Sequence, residues 1–270
     1  HHRTPGLLFV GNEVGVYVSV DFGRQWTQLK NNLPVVPVDD ILIHPRENDL
    51  IVGTHGRSVW IMADVTPLEQ LSTETLAEAG RVFPSRPSTM WAQKGDWPFF
   101  GATYSAPNPP RGARIRYYLR ETTEGPDMAG DSGDSTDDSG EAGDGGNQQE
   151  GGFSLTITDS SGGHMRTLDA PGSAGINEVI WDWRYDPPYE PVAGAGGGGP
   201  GGGGGGFSGG APEGPIVLPG TYTVSMEVEG QSYSSTVEII AEPRRPMTRA
   251  DRMARQDALM SLYTLAAPIY

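Results

Sequence analysis

Cysteine is absent from this sequence of 270 residues, and lysine occurs only at Lys30 and Lys94. The absence of cysteine excludes disulfide bonds, thiol nucleophiles and thiolate zinc sites. No apolar run approaches the roughly 18 residues that span a bilayer, and no signal peptide is recognisable. The five histidines lack the spacing of a metal site, and no phosphate-binding loop motif occurs. The sequence therefore predicts no catalytic residue, no metal site and no cofactor.

Positive charge and apolar content are also low. The formal net charge is −15, and hydrophobic residues make up 36% of the chain. Ten acidic residues and no basic ones lie between Glu121 and Glu150. Nucleic acid is disfavoured as a partner, because neutralising phosphates requires clustered lysine and arginine. Glycine (39) and proline (23) are concentrated in blocks, which predicts ordered regions separated by low-complexity insertions.

Short strand-like segments separated by turn residues fill residues 1–71. Apolar residues alternate with others in several of these segments, and glycine, asparagine or proline follows them. Short strands at this spacing indicate an all-β fold such as a sandwich, barrel or propeller. The segments are 7–10, 16–20, 26–29, 40–45, 50–53 and 58–62.

One turn has the spacing Ser19-x-Asp21-x-Gly23-x-x-Trp26. In such a turn the aspartate can accept hydrogen bonds from local amides, the glycine can adopt a positive φ, and the tryptophan can pack beneath the hairpin. The run resembles the Asp-box, or BNR, motif of sialidase-type, sortilin-type and two-propeller xyloglucanase proteins. Residues 8–11 and 53–60 resemble blade strands of the same proteins. The resemblance implies a structural role for Ser19, Asp21, Gly23 and Trp26.

The resemblance implies that residues 1–71 are the last blade or blades of a β-propeller. A propeller needs at least about four blades of about four strands each. We therefore expect the other blades to lie upstream in a longer parent chain or in a partner subunit. The resemblance also implies an exported protein of the periplasm, cell surface or extracellular space.

Residues 72–111 are interpreted as a linker and packing segment. Just before it, Thr66 followed by Pro67 predicts a helix start, with Thr66 as the N-cap and Pro67 as the first helical residue. Aromatic residues gather later in the segment, and they include Trp91 and Trp97. This cluster is interpreted as inter-domain packing, and the alternative is an aromatic platform for a sugar ring.

Residues 112–243 contain a second set of alternating strands, which predicts a β-sandwich. The phrase 175–182, with Trp181-Asp182, is followed later by Pro219-Gly220-Thr221-Tyr222. This order resembles the small immunoglobulin-like module of the FlgD type, found at the C-termini of many exported bacterial proteins. The resemblance implies that the strands of Trp181 and Tyr222 face each other in the core.

Two insertions depart from that module, at residues 124–152 and 193–214. The first is rich in Gly, Asp, Ser and Glu, and the second is mostly glycine. Neither can bury enough apolar surface to offset its ordering entropy, so both are expected to be loops between adjacent strands that are mobile unless a partner holds them. Weak calcium binding by the first is an alternative, although the EF-hand spacing is missing. Its acidic residues include Asp131, Asp134, Asp137, Asp138, Glu141 and Asp144.

Residues 247–265 predict a C-terminal helix with Thr248 as its cap and an apolar stripe. The stripe comprises Met253, Leu259, Met260, Leu262 and Leu265.

Few residues are candidates for ligand binding. His55 and Arg57 are polar at the end of a strand-like segment, where they could line a channel or satisfy turn carbonyls. Asp39 and Asp40 are adjacent, so their side chains would point to opposite faces of a strand and would not converge on one glycosidic bond. The candidate ligand-binding residues are therefore His55, Arg57, Trp91 and Trp97.

Three functions follow as hypotheses from the resemblances. The first is a non-catalytic binding or scaffolding region of an exported BNR-repeat propeller protein. The second is part of a glycoside hydrolase whose catalytic carboxylates lie outside this chain. The third is a sortilin-like, peptide-binding propeller. A carbohydrate or a peptide is the expected ligand, and fold analogy alone does not choose between them.

Overall fold

The computed structural model describes residues 1–30, 32–92, 109–123, 153–189 and 213–266. These residues form mostly β-strands, with two short helices in the middle and one longer helix near the C-terminus. The prediction of an all-β class is confirmed at this level. Two separate hydrophobic cores divide the described residues into a first and a second unit.

The first unit contains two three-stranded antiparallel sheets, each a simple meander. The pairing register places Phe9 opposite Val18 in one sheet and Ile41 opposite Val52 in the other. All six predicted segments form strands, with ends shifted by a few residues. Their bounds are β1 Leu8–Asn12, β2 Gly15–Ser19, β3 Thr27–Leu29, β4 Val38–Ile43, β5 Leu50–Thr54 and β6 Val59–Met62.

The core of the first unit is small. Among the described residues its buried cluster consists of Val16, Leu50, Val52 and Val65, and several half-buried apolar side chains pack around them. The two sheets approach closely at Gly11, where an added Cβ would lie 2.5 Å from Val38 Cγ1. A core of this size contributes little, because each fully buried aliphatic side chain is worth about 1.5–3 kcal/mol.

Two short helices, α1 (Thr66–Glu69) and α2 (Thr73–Ala77), follow the first unit. The prediction that Thr66 caps α1 is wrong, since Thr66 is helical and Val65 occupies the N-cap position. The side-chain acceptor comes instead from Asp64, whose Oδ1 receives the Thr66 amide at 3.2 Å and its hydroxyl at 2.5 Å.

The segment interpreted as a linker contributes one strand to each sheet of the second unit. Strand β7 (Gly80–Val82) pairs antiparallel with β9 (Ala113–Leu119), and β8 (Ser88–Thr89) pairs parallel with β14 (Gln231–Ile240). The second unit therefore begins near residue 80 and not at residue 112. The linker interpretation took 82–84 and 87–91 as extended but did not assign them to a sheet, because their partner strands lie far along the chain.

The second unit consists of a five-stranded and a three-stranded sheet. The remaining strand bounds are β10 Phe153–Thr158, β11 His164–Ala170, β12 Gly175–Trp181 and β13 Gly220–Val228. The five-stranded sheet has the order β11-β10-β13-β14-β8, and the other has the order β12-β9-β7.

One large core lies between these two sheets and receives alternate residues from both. Ile115 and Tyr117 of β9 and Leu155 and Ile157 of β10 are all fully buried. The expected contact between the Trp181 and Tyr222 strands is present, since the two rings meet edge to face with centroids 5.1 Å apart. This arrangement agrees with the alternation by which the strands were predicted.

Both insertions lie outside the described residues, except for Glu213 and Gly214. The strands that flank 124–152 are β9 and β10, and those that flank 193–214 are β12 and β13. Each pair is divided between the two sheets, so the strands before and after each insertion are not hydrogen-bonded neighbours, and the expectation of loops between adjacent strands is wrong in this respect. The proposed calcium ligands also lie outside the described residues.

The C-terminal helix α3 spans Arg249–Ala266 and has the predicted cap. Thr248 Oγ1 accepts the Asp251 amide at 3.1 Å and donates to Asp251 Oδ2 at 2.7 Å. The predicted apolar stripe is divided. Leu259 and Met260 are half-buried, whereas Leu262 and Leu265 are each 64% exposed.

Candidate functional site

The Ser19–Trp26 turn is held by hydrogen bonds among the predicted residues. Ser19 Oγ donates to Asp21 Oδ1 at 2.7 Å and accepts the Gly23 amide at 2.9 Å. Asp21 Oδ1 also accepts the Gln25 amide at 2.9 Å. Gly23 has a φ of 84°, and Trp26 Nε1 donates to its carbonyl at 3.1 Å. These four residues therefore form one hydrogen-bonded turn.

The electrostatics of Asp21 agree with a structural role. The Gln25 amide and the Ser19 hydroxyl lower the pKa of its carboxyl group below the ordinary value. A general acid needs a raised pKa instead. Trp26 was expected to pack beneath the hairpin, but it is 42% exposed. Part of its ring lies near Gly23.

His55 and Arg57 lie in the hairpin loop between β5 and β6. His55 Nδ1 lies 3.4 Å from Asp39 Oδ2, and both side chains are largely exposed. The Arg57 carbonyl accepts Trp60 Nε1 at 2.9 Å, and Gly56 and Ser58 adopt positive φ values. This arrangement is a tight surface turn, and the described residues place no other predicted site residue beside it.

Trp91 lies in the second unit, after β8. The guanidinium of Arg244 lies 5.0 Å from the centroid of its ring, so one face of the indole is already occupied. Trp97 lies outside the described residues. The aromatic platform therefore stays a prediction.

A cluster of charged residues that the sequence did not indicate joins the two units. Arg116 Nη1 lies 3.2 Å from Asp64 Oδ2, and Arg116 Nη2 lies 2.7 Å from Glu178 Oε2. Arg86 reaches across to the β4–β5 turn, where its Nη1 lies 3.1 Å from Glu47 Oε2 and 3.2 Å from Asp49 Oδ1. We call these six residues the junction cluster: Glu47, Asp49, Asp64, Arg86, Arg116 and Glu178.

Asn48 extends this polar contact into the first unit. It is only 3% exposed, and its carbonyl accepts the Val65 amide at 2.8 Å. Its side-chain nitrogen donates to Thr66 Oγ1 at 3.1 Å and to Glu69, while its oxygen lies 2.8 Å from His1 Nε2. Buried polar groups that are satisfied in this way fix one arrangement of their neighbours.

A cleft of about 740 Å³ lies beside the junction cluster. The first unit contributes an apolar floor that includes Leu50, Val52 and Trp60, and the second unit contributes Arg114 and Arg116 to the wall. Both arginines are already paired with Glu178. The cleft is therefore mainly an opening onto the core of the first unit. Its two arginines are already paired and are not free to bind an anionic ligand.

The described residues form no recognisable catalytic arrangement. The exposed pairs His55–Asp39 and His164–Asp186 are not hydrogen-bonded to a serine or threonine hydroxyl in the described part of the chain. Within the same ranges, no three His, Asp or Glu side chains converge in a manner that would hold a metal ion. None of the described helices has both the length and the apolar character needed to cross a bilayer.

The sequence was compared with protein-family models, with curated proteins and with solved structures, and none of them matches. The residues of the junction cluster could not be found from the sequence, because no motif links them. The sequence offers two weak signals, which are two arginines at non-core positions of β9 and acidic residues in the connections next to β5 and β6, such as Asp49 and Asp64.

Proposed function

We propose that this chain is a non-catalytic docking region of an exported BNR-repeat propeller protein. In this proposal the first unit consists of two incomplete blades that pack against further blades. Those blades belong to the same parent chain or to a partner subunit. The second unit is an immunoglobulin-like module of the FlgD type that is fixed to the first.

The observation that carries this proposal is an exposed apolar face on the sheet β4-β5-β6. Leu42, Ile51 and Ile61 are aligned across the three strands, and Val59 lies on the same face. Leu42, Val59 and Ile61 are 54%, 60% and 62% exposed. We call these four residues the outer apolar face.

The opposite face of the same sheet is also apolar. Ile41, Val52 and Trp60 are aligned there and pack around the core of the first unit. A sheet that is apolar on both faces is normally covered on both faces. A propeller blade lies between two neighbouring blades, which would cover the outer apolar face.

The turn chemistry supports the same proposal. Two meanders follow each other along the chain, and the Asp-box turn connects β2 to β3. Three strands are one fewer than the four of a usual blade. Each sheet would thus gain a strand as well as a neighbour in the complete propeller.

The second unit supports a scaffolding role. Trp181 and Tyr222, which carry the resemblance to the FlgD-type module, contact each other in its core. The junction cluster joins this unit to the first. Two of its side chains, Asp64 and Arg116, are only 6% and 14% exposed. A module held in this way would present the propeller in a fixed orientation.

The first test is the intact mass and complete sequence of the natural protein, followed by amide hydrogen exchange. We expect further Ser-x-Asp-x-Gly-x-x-Trp boxes in the parent or in a co-purifying subunit. We also expect β4 and β6 amides to exchange at least about tenfold more slowly in the natural assembly than in this chain alone. Amides of β13, in the second unit, serve as the internal reference.

A pair of variants makes the test specific to the outer apolar face. Leu42→Lys with Ile61→Lys should abolish the added protection in the natural assembly. Leu262→Lys with Leu265→Lys is the matched control, because both leucines are exposed to a similar degree on α3. Equal protection in all three proteins, together with no further boxes, would refute the proposal.

A further inference from the structure

A second cleft, of about 250 Å³, lies in the second unit between α3 and the ends of strands β8 and β14. It shares no residue with the outer apolar face or the junction cluster. Four arginines and one glutamate are the charged residues of its lining. They are Arg111, Arg245, Arg252, Arg255 and Glu242.

The four arginines form no ion pair with any residue in the described ranges, and four of the seven arginines of which this is true therefore line one cleft; the other three are Arg24, Arg57 and Arg249. Other arginines of the second unit, such as Arg114, Arg120 and Arg184, each contact a carboxylate. Unpaired guanidinium groups are therefore concentrated at this cleft.

Glu242 does not neutralise these arginines, because its oxygens are engaged elsewhere. Oε1 accepts Arg244 Nε at 2.8 Å, and Oε2 accepts the Ala92 amide at 2.5 Å and Arg244 Nη2 at 3.0 Å. The contact with Arg244 lowers the pKa of Glu242 to about 2. Glu242 is thus a fixed wall of the cleft whose acceptor positions are already used.

The floor of the cleft is apolar and well anchored. It includes Met90, Trp183, Val217 and Leu218. Trp183 is 3% exposed, its Nε1 donates to Ser88 Oγ at 3.0 Å, and its carbonyl accepts the Val217 amide at 2.7 Å. The guanidinium of Arg111 lies 5.9 Å from the Trp183 ring centroid, so cation and apolar floor are adjacent.

Two of the arginines are positioned by helix geometry. Arg252 and Arg255 are three residues apart on α3, which places them on one side of the helix. The capped N-terminus fixes this first part of α3, and Arg252 is half-buried. Arginine has a planar fork of donors that matches a carboxylate with two parallel hydrogen bonds.

We propose that this cleft binds a small organic carboxylate whose apolar body lies against Trp183 and Leu218 while its carboxylate is held by Arg252 and Arg255. The volume is slightly below the roughly 300–1,000 Å³ of sites for drug-sized ligands, so one amino-acid-sized group fits. Such a group is either a free acid or the C-terminal residue of a peptide. Both have the same chemistry, an apolar side chain next to a carboxylate.

The test is isothermal titration calorimetry of the full chain with N-acetyl-phenylalanine, its C-terminal amide, acetate and inorganic phosphate. We expect the acid to bind at least about tenfold more tightly than the amide, which lacks the charge. We also expect it to bind more tightly than acetate or phosphate, which lack an apolar body. An acetylated tripeptide that ends in phenylalanine distinguishes the two sources, since a site for chain ends binds it more tightly than the free acid.

The variant Arg252→Gln with Arg255→Gln should weaken binding of the acid by at least tenfold. Arg249→Gln is the matched control, because Arg249 lies on the same helix, is exposed and does not line the cleft. Circular dichroism of both variants shows whether α3 is retained. The proposal fails if the acid and the amide bind equally, if phosphate binds as tightly as the acid, if both variants bind like the parent, or if no binding occurs at millimolar concentration.

Discussion

The hydroxyl of Ser19 is buried although the turn that it organises is exposed. The side chain is 1% exposed, whereas Phe22, within the same turn, is 70% exposed. The hydroxyl both donates to Asp21 and accepts from Gly23, so the turn depends on an atom that water cannot replace. An exposed turn elsewhere provides a comparison, because Ser161 Oγ donates to Asp159 Oδ1 at 2.6 Å in solvent.

We predict that Ser19→Ala lowers the free energy of unfolding of the first unit by about 1–3 kcal/mol, the cost of leaving a buried amide unsatisfied. Ser161→Ala removes the same kind of hydroxyl–carboxylate bond at the surface and should change stability by less than about 0.5 kcal/mol. Urea unfolding followed by tryptophan fluorescence measures both. Equal losses of unfolding free energy in the two variants would show that burial of the Ser19 hydroxyl does not determine its contribution to stability.

The roles of single residues were predicted correctly where they depend on hydrogen bonds between residues close in sequence. Four residues of the Ser19–Trp26 turn are linked by hydrogen bonds within eight positions of the chain, and their roles followed from turn chemistry. Thr66 was assigned wrongly as a cap, because Asp64 is an equally good acceptor two residues earlier. Sequence preference alone did not distinguish the two, since both residue types favour the N-cap.

At the scale of an element, β9 begins directly after a glycine that no other residue could replace without strain. Gly112 has a φ of 146°, and an added Cβ would lie 2.4 Å from Ile180 Cγ2 and 2.5 Å from the Trp181 carbonyl oxygen. Gly220, the first residue of β13, has no atom within 4 Å of an added Cβ. The two glycines therefore differ in the space and conformation that they require.

We predict that Gly112→Ala lowers the stability of the second unit by more than about 1 kcal/mol, because both the positive φ and the close packing disfavour a side chain. Gly220→Ala should leave stability unchanged or slightly higher, since alanine has fewer unfolded conformations. Thermal unfolding followed by circular dichroism compares the two. A Gly112→Ala protein as stable as Gly220→Ala would contradict the packing described for β9.

The strands of five or more residues were predicted because apolar alternation extends over enough positions to be recognised. Strands β7 and β8 contain three and two residues and were missed as sheet members, because they lack the neighbouring turn motif that marked the equally short β3. Their place in the fold depends on partners far along the chain, such as Ile239 opposite Ser88. Pairing over that separation leaves no local pattern.

At the scale of the whole molecule, the two units are joined by charged side chains and not by a shared apolar core. Asp64 is 6% exposed and is approached by Arg116 at 3.2 Å and by Arg86 at 3.7 Å. Removing one partner of such a pair costs more than the pair itself contributes, because a buried carboxylate is left without compensation.

We predict that Arg116→Met lowers the free energy of unfolding by about 2 kcal/mol, less than the usual 3–5 kcal/mol because Arg86 remains near Asp64. Arg114→Met, in the same strand, removes only the more exposed pair with Glu178 and should cost less than about 1 kcal/mol. Differential scanning calorimetry should resolve two transitions in Arg116→Met. A single transition at the parent temperature would show that the junction cluster does not couple the units.

The junction could not be predicted because its contacts join residues far apart in the sequence. Arg86 and Asp49, or Arg116 and Asp64, meet only after both units have folded. The strand-like segments 50–53 and 58–62 were predicted, but the uncovered face of their sheet followed only from the register of β4, β5 and β6.

An uncovered sheet also determines how copies of this chain would behave at high concentration. If the outer apolar face of one copy packs against the β1–β3 side of the next, the contact is heterologous, so every added copy leaves a new face open. Such growth stops only when the rotation per copy brings the last subunit back to the first and closes a ring. Otherwise the copies continue to add as a fibre. The angle between successive sheets determines whether a ring or a fibre is formed.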